Sequence, residues 1–117
     1  MYYEPGLHII AEITSTNKQL LEQFQAVQQL LNEQIETHGL HKLGEVYHDF
    51  QPAGYTAVIC LSESHISLHS WPEYGRVNLD IYLSNYQRNN DGTGQKIFEA
   101  IVQFFDAAII SSQQIKR

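Results

Sequence analysis

Glu63-Ser64-His65-Ile66-Ser67-Leu68-His69-Ser70-Trp71-Pro72-Glu73-Tyr74-Gly75-Arg76-Val77-Asn78-Leu79-Asp80-Ile81-Tyr82-Leu83 is the stretch on which the fold turns. From Arg76 onward, Val77, Leu79, Ile81 and Leu83 alternate with Arg76, Asn78, Asp80 and Tyr82. That period of two predicts a strand with one buried and one polar face. His65 to Ser70 is a short strand before it, and Pro72 and Gly75 break the two apart. Upstream, His41 to Phe50 and Tyr55 to Leu61 read as strands flanking the turn signal Pro52-Ala53-Gly54. The β-branched run Gly6 to Thr14 reads as the first strand. Ser15 is placed to cap a helix over Thr16 to Thr37, whose apolar residues Leu20, Leu21, Phe24, Val27, Leu30, Leu31 and Ile35 share one stripe. Gly39 suits the end of that helix. Downstream, Asn89 to Gly92 reads as a loop, Ile97, Phe98, Ile101, Phe104 and Phe105 mark a second helix, and Ala108 to Ile115 forms the last strand.

The order is β-α-β-β followed by β-β-α-β, which predicts an α+β fold: an antiparallel sheet with two helices packed on one face. The other face then needs a covering, and a homodimer is the expected one. The 117 residues make one domain, 1–117, large enough for a single sheet-and-helix core. No apolar run approaches the roughly 20 residues of a membrane span. Met1-Tyr2-Tyr3-Glu4-Pro5 has no basic region followed by an apolar stretch, so no leader is expected. One cysteine, Cys60, leaves no internal disulfide and suits a reducing cytoplasm. A net charge of −6 argues against nucleic acid as a partner, because phosphate contacts need clustered Lys and Arg.

The chemistry concentrates at the Glu63–Ser64 bond. A serine Oγ can attack the preceding carbonyl when the peptide is strained and the oxyanion is stabilised. The ester so formed loses Glu63 by β-elimination once a base takes the Ser64 α-proton, and the resulting dehydroalanine hydrolyses to a pyruvoyl group. Such a group forms a Schiff base with an amine and accepts the electrons of a breaking C–CO₂ bond. A Glu-Ser dipeptide alone carries none of this, since it is common and ordinarily marks a surface strand end. His65 and His69 follow at one and five residues from Ser64, and imidazoles exchange protons near neutral pH. On an ideal strand Ser64 and His69 point to opposite faces, so a turn or bulge at Ser64, or contact across a dimer, has to unite them.

The thirteen residues Glu63 to Gly75 resemble the pattern E-S-H-[IL]-[ST]-[IL]-H-[ST]-W-P-E-Y-G of the prokaryotic S-adenosylmethionine decarboxylase proenzymes. The resemblance extends to Gly6-Leu7-His8, Ala11-Glu12, the Phe50-x-Pro52-x-Gly54 segment, Leu79-Asp80 and the basic last strand. It implies self-cleavage between Glu63 and Ser64, with Ser64 the precursor of the pyruvoyl cofactor and His69 the processing base. Thr56 matches a serine whose hydroxyl assists processing, and threonine keeps that hydroxyl. Phe50 and Trp71 match two rings that sandwich adenine, and Glu73 matches the carboxylate that binds the ribose hydroxyls. The implied substrate is S-adenosylmethionine, decarboxylated to supply aminopropyl groups for spermidine synthesis.

The chain departs from the family at one position of consequence. The usual Thr-Cys-Gly is here Leu83-Ser84-Asn85, so Ser84 stands where a thiol would protonate the α-carbon. A hydroxyl is a weaker acid by several pKa units. Turnover should therefore be slowed, or the proton misdirected so that the cofactor becomes alanine. His69 or Tyr82 could donate instead. Cys60, within the apolar run Ala57-Val58-Ile59-Cys60-Leu61, reads as an inert core residue. His65 and His69 lack a third partner at a ligand spacing, so no metal is expected. Gly92-Thr93-Gly94-Gln95-Lys96 lacks the spacing and trailing hydroxyl of a phosphate loop. Two other functions compete: a pyruvoyl decarboxylase of ornithine or arginine, and a non-catalytic paralogue that never cleaves.

Overall fold

Six strands form one sheet: β1 (Leu7–Thr14), β2 (Lys42–Asp49), β3 (Tyr55–Leu61), β4 (Ser64–Trp71), β5 (Arg76–Leu83) and β6 (Ala108–Lys116). The computed structural model describes residues 3–117; Met1 and Tyr2, part of the segment read for a leader, lie outside the described residues. The sheet order is β2-β3-β4-β5-β1-β6, and every neighbouring pair is antiparallel. β2 to β5 follow one another as a meander. β1, first in the chain, is inserted between β5 and β6.

Three helices, α1 (Lys18–Glu22), α2 (Gln25–Thr37) and α3 (Asp91–Phe104), provide the buried side chains opposite the sheet. Ile9, Ala11 and Ile13 of β1, Ala57 and Ile59 of β3, Ile66 and Leu68 of β4, and Val77, Leu79 and Ile81 of β5 are buried on that face. They meet Leu21, Val27, Leu31, Ile97, Ile101 and Phe105 in one core cluster. Each Val, Leu, Ile or Phe side chain among them contributes about 1.5–3 kcal/mol through burial. The expected α+β architecture and the strand positions are as the alternation predicts, with boundaries shifted by one or two residues.

The helix expected over Thr16 to Thr37 is two helices. Gln23 is extended (φ −132, ψ 147), and α2 restarts after Phe24. The β2–β3 turn causes the break by satisfying the backbone there. The Gly54 N–H donates to the Glu22 carbonyl at 3.0 Å, and the Phe24 N–H donates to Asp49 Oδ1 at 2.9 Å. The cap of α1 is Asn17, not Ser15. Ser15 Oγ instead donates to the Phe105 carbonyl at 2.6 Å, tying the end of β1 to the end of α3. Gly39, at φ 63, follows α2 in the left-handed conformation expected of it.

The second sheet face carries no helix. It presents the polar alternates of β1, β4 and β5, together with Val58 and Cys60 of β3. Cys60 is exposed here, which corrects its reading as a core residue. The burial of β3 alternates strictly, so the apolar run conceals a two-sided strand whose even-numbered residues point away from the helices.

Candidate active site

At one end of β4 the register sets Thr56 directly opposite His69. Thr56 Oγ1 and His69 Nδ1 are 2.9 Å apart. With Nδ1–H donating to the hydroxyl, Nε2 keeps a free lone pair and can take a proton. β4 ends at Trp71, and Pro72–Tyr74 forms a single 3₁₀ turn that carries Glu73. The β2–β3 turn folds onto this one. Gly54 has φ 100, and a Cβ there would lie 3.2 Å from Pro72 Cδ and 3.3 Å from the Ser70 carbonyl oxygen. Only glycine combines that dihedral with so close an approach. The Phe50 N–H donates to the Gly54 carbonyl at 2.7 Å, which holds Phe50 at the rim.

These contacts enclose a cavity of about 320 Å³ lined by Phe50, Thr56, His69, Trp71 and Glu73 among others. Its volume lies within the range of small-molecule sites. Ser70 and Tyr55 build its back wall. Ser70 Oγ accepts from the Tyr55 N–H at 2.9 Å and donates to the Leu21 carbonyl at 2.7 Å, and the Tyr55 hydroxyl donates to the Leu20 carbonyl at 2.7 Å. Burial pushes the Tyr55 phenol well up, so it serves as a post rather than an acid. Trp71 Nε1 donates to Asn78 Oδ1 at 2.6 Å, and Asn78 Nδ2 donates in turn to Glu12 Oε1 at 3.3 Å. An adjoining space of about 590 Å³, between Glu12, Tyr74, Arg76 and Asn78, opens on the other side of the same indole.

At the opposite end of β4, Ser62 and Glu63 make a tight turn from Leu61 to Ser64. Ser64 has φ 122, a conformation that costs a non-glycine residue of order 1–3 kcal/mol. The carbonyl oxygen of Glu63 accepts the Ser84 N–H at 2.8 Å. A donor placed there polarises the carbonyl that a serine nucleophile would attack. Position 84 therefore touches the Glu63–Ser64 peptide through its backbone, which any residue but proline can do. Gly6 packs against this corner so closely that a Cβ would lie 2.3 Å from the Leu83 carbonyl oxygen.

The Glu63 carboxylate is held as firmly as its carbonyl. Arg88 donates to it from Nε at 3.1 Å and Nη2 at 3.0 Å, and Asn90 Nδ2 donates at 3.0 Å. Burial alone would raise the Glu63 carboxyl, but the Arg88 and Asn90 hydrogen bonds with the Arg88 charge outweigh it and hold the group below the usual carboxylate range. Neither Arg88 nor Asn90 was legible in the sequence, because both sit in a loop with no periodicity.

The structure thus gathers Phe50, Thr56, His69, Trp71 and Glu73 at one end of β4 and Glu63, Ser64 and Ser84 at the other. Five residues of strand separate Ser64 from His69, about 16 Å at the usual rise of a strand. The turn at Ser64 exists, yet it does not close that gap within one chain. Beside Ser64 on the open face, Cys60, His65, Tyr82 and His8 stand opposite one another across four strands. Tyr82 lies 6.0 Å from the His65 ring and 5.4 Å from that of His8. His8 is drawn below the usual histidine range by burial, with Asp80 opposing and Arg117 and His65 adding to the shift. Among the described residues, no group of three or more His, Cys, Asp or Glu side chains is arranged to hold a metal ion.

The S-adenosylmethionine decarboxylase family model matches residues 7–117. An S-adenosylmethionine decarboxylase proenzyme from Archaeoglobus fulgidus is 43% identical over 77 residues, covering 66% of this chain and 69% of the relative. The proenzyme of the same description from Picrophilus torridus is 31% identical over 112 residues, 96% of this chain and 83% of the relative. The crystal structure of the adenosylmethionine decarboxylase from Aquifex aeolicus matches with a TM-score of 0.80 at 25% identity, covering 99% of this chain and 91% of that one.

Proposed function

The chain belongs to the S-adenosylmethionine decarboxylase family, and from that premise we propose that it is a self-processing, pyruvoyl-dependent decarboxylase of S-adenosylmethionine. It is a carboxy-lyase whose product supplies aminopropyl groups for polyamine synthesis, spermidine included. It works as one domain, 1–117, cut between Glu63 and Ser64, and as a homodimer in the cytoplasm. No helix is long and apolar enough to cross a membrane among the described residues. The observation that carries the substrate assignment is the single cavity lined by Phe50, Trp71 and Glu73 beside Thr56 and His69.

Each residue has work suited to its place. Phe50 and Trp71 stack on adenine, which is worth roughly 1–3 kcal/mol per base, and Glu73 accepts from the ribose hydroxyls. A nucleoside-bearing substrate uses all three, whereas ornithine offers no flat surface to stack and arginine offers only a guanidinium, with no ribose diol for Glu73. The Ser64 Oγ attacks the Glu63 carbonyl carbon while the Ser84 N–H stabilises the oxyanion. The C–N bond then breaks, the Ser64 nitrogen takes up the proton, and an ester joins the two segments. The strained φ of Ser64 and the N–H aimed at its preceding carbonyl fit this residue for conversion to the pyruvoyl group. A pyruvoyl group at position 64 would supply an electrophilic carbonyl and an electron sink for the decarboxylation.

His69, positioned by Thr56, is the processing base. Because about 16 Å of strand separates it from Ser64 in its own chain, it acts on Ser64 of a second copy. The helix-free sheet face is the surface on which that copy packs. Ser84 occupies the position of the proton donor in the decarboxylation, with Tyr82 the alternative acid beside it.

Intact mass under denaturing conditions, followed by CO₂ release from S-adenosylmethionine, tests the proposal. Two fragments divided at Glu63–Ser64, with the second blocked by a pyruvoyl group, and CO₂ from S-adenosylmethionine but not from ornithine or arginine are expected. A single full-length mass after long incubation would reject it in favour of a non-catalytic paralogue.

A further inference from the structure

Self-cleavage needs more than a serine and a base: the scissile carbonyl has to be held still while its peptide bends. Three contacts in the structure do this from one loop. Between β5 and α3, Ser84 gives its N–H to the Glu63 carbonyl at 2.8 Å, Arg88 grips the Glu63 carboxylate with two nitrogens, and Asn90 bonds the same carboxylate at 3.0 Å. Asn90 also donates to the Ser84 carbonyl at 2.9 Å, so one amide spans the oxyanion donor and the residue whose carbonyl it polarises. Asn90 is 1% exposed, and its own N–H is fixed by Asn85 Oδ1 at 2.7 Å. The loop is therefore rigid where it meets the scissile bond.

Arg88 is anchored from behind as well. Its Nη2 donates to the His38 and Gly39 carbonyls, both at 3.2 Å, at the end of α2. A planar guanidinium with donors on two sides can bridge carbonyls and a carboxylate at once, which an ammonium cannot do in the same geometry. The far end of that bridge is Glu63, and the next residue is Ser64 at φ 122.

We infer that Arg88 and Asn90 are positioning residues for self-cleavage: they lock the Glu63 side chain so that its carbonyl meets the Ser84 N–H while Ser64 is held in its bent conformation. The inference rests on the proposed cleavage at Ser64. In the step they assist, the bond from Ser64 Oγ to the Glu63 carbonyl carbon forms, the Glu63–Ser64 C–N bond breaks, and the Oγ proton ends on the Ser64 nitrogen. Neither residue exchanges a proton. Their work is geometric, and misplacement of a reacting group by about 1 Å can slow a reaction about 100-fold.

The test follows cleavage of freshly folded protein by denaturing mass spectrometry, with thermal unfolding to verify that each variant folds. Arg88→Met should slow cleavage on the order of 10- to 100-fold, and Arg88→Lys should recover part of that loss. A second measurement separates positioning from general support of the fold. With Glu63→Gln already present, adding Arg88→Met should slow cleavage by less than threefold, because its charged partner is gone. If the wild type cleaves and Arg88→Met cleaves at the same rate, the clamp is refuted while self-cleavage stands. Equal slowing by Arg88→Met in both backgrounds would likewise refute it. A wild type that stays whole would refute the self-cleavage reading, and the clamp with it.

Discussion

The two ends of β4 do different kinds of work. At the Trp71 end, side chains from two turns surround a cavity that stands open, and the polar contacts fix rings and hydroxyls around it. At the Ser64 end nothing is open: the backbone is bent, its carbonyl is already hydrogen-bonded, and its carboxylate is clamped. One end is arranged to receive a molecule, the other to act upon the chain itself. The difference teaches that one strand can carry two unlike sites, which about 16 Å of β4 keeps apart within a single copy.

The sharpest way to break that comparison is Ser64→Ala. It should abolish cleavage while leaving the fold intact, since the residue is outside the core; persistent cleavage by mass would remove the serine mechanism. His69→Ala should slow cleavage by about 10²–10⁴-fold, the usual worth of a general base. Mixing those two variants tests the crossing of copies directly. A dimer with one of each joins an intact Ser64 to an intact His69, so the His69→Ala chain should be cut and the Ser64→Ala chain never. If neither chain is cut in the mixed sample, the site lies within one copy.

Smaller effects sharpen the division of labour. Trp71→Ala should weaken binding of S-adenosylmethionine by about 1–3 kcal/mol, some 5- to 150-fold in Kd by calorimetry, with little change in cleavage. Ser84→Cys should raise decarboxylation about tenfold or less and lower conversion of the cofactor to alanine. It should leave cleavage alone, because the N–H at 84 is retained. The smallest effect is on stability. The Glu63 carboxyl is held below the usual range, so the folded state binds fewer protons there than the unfolded one. That contribution is complete above the ordinary carboxylate range and is lost as pH falls through the depressed value. Urea unfolding from pH 7 to pH 3 should show this acid loss in the wild type and a flatter profile in Arg88→Met.

The strands were legible because alternation is a local signal, and Val77, Leu79, Ile81 and Leu83 display it without ambiguity. The break at Gln23 was not, since its causes are Asp49 and Gly54, distant in sequence. Cys60 was misread for a related reason: an apolar run hides which of its members faces outward. In the site, Phe50, Trp71 and Glu73 were singled out only because their segments resemble the family pattern; taken alone, each ring read as core packing. The separation of Ser64 from His69 was implicit in five residues of strand. Arg88 and Asn90 gave no sign, because a clamp built from a loop depends on where the loop comes to rest.

The position of β1 between β5 and β6 has a consequence for the molecule after cleavage. A cut before Ser64 leaves β1, β2 and β3 on one polypeptide and β4, β5 and β6 on the other. Because β1 lies within the second polypeptide's strands and β4 lies against β3 on the first, the two pieces are interleaved like the fingers of clasped hands. They cannot separate without dismantling three ladders of the sheet, β3–β4, β5–β1 and β1–β6. A protein that could reach its native state by a first-order reaction as one chain would need an encounter between two chains to do so again, so its refolding would become concentration-dependent. Maturation at this bond would make the fold something that is assembled once.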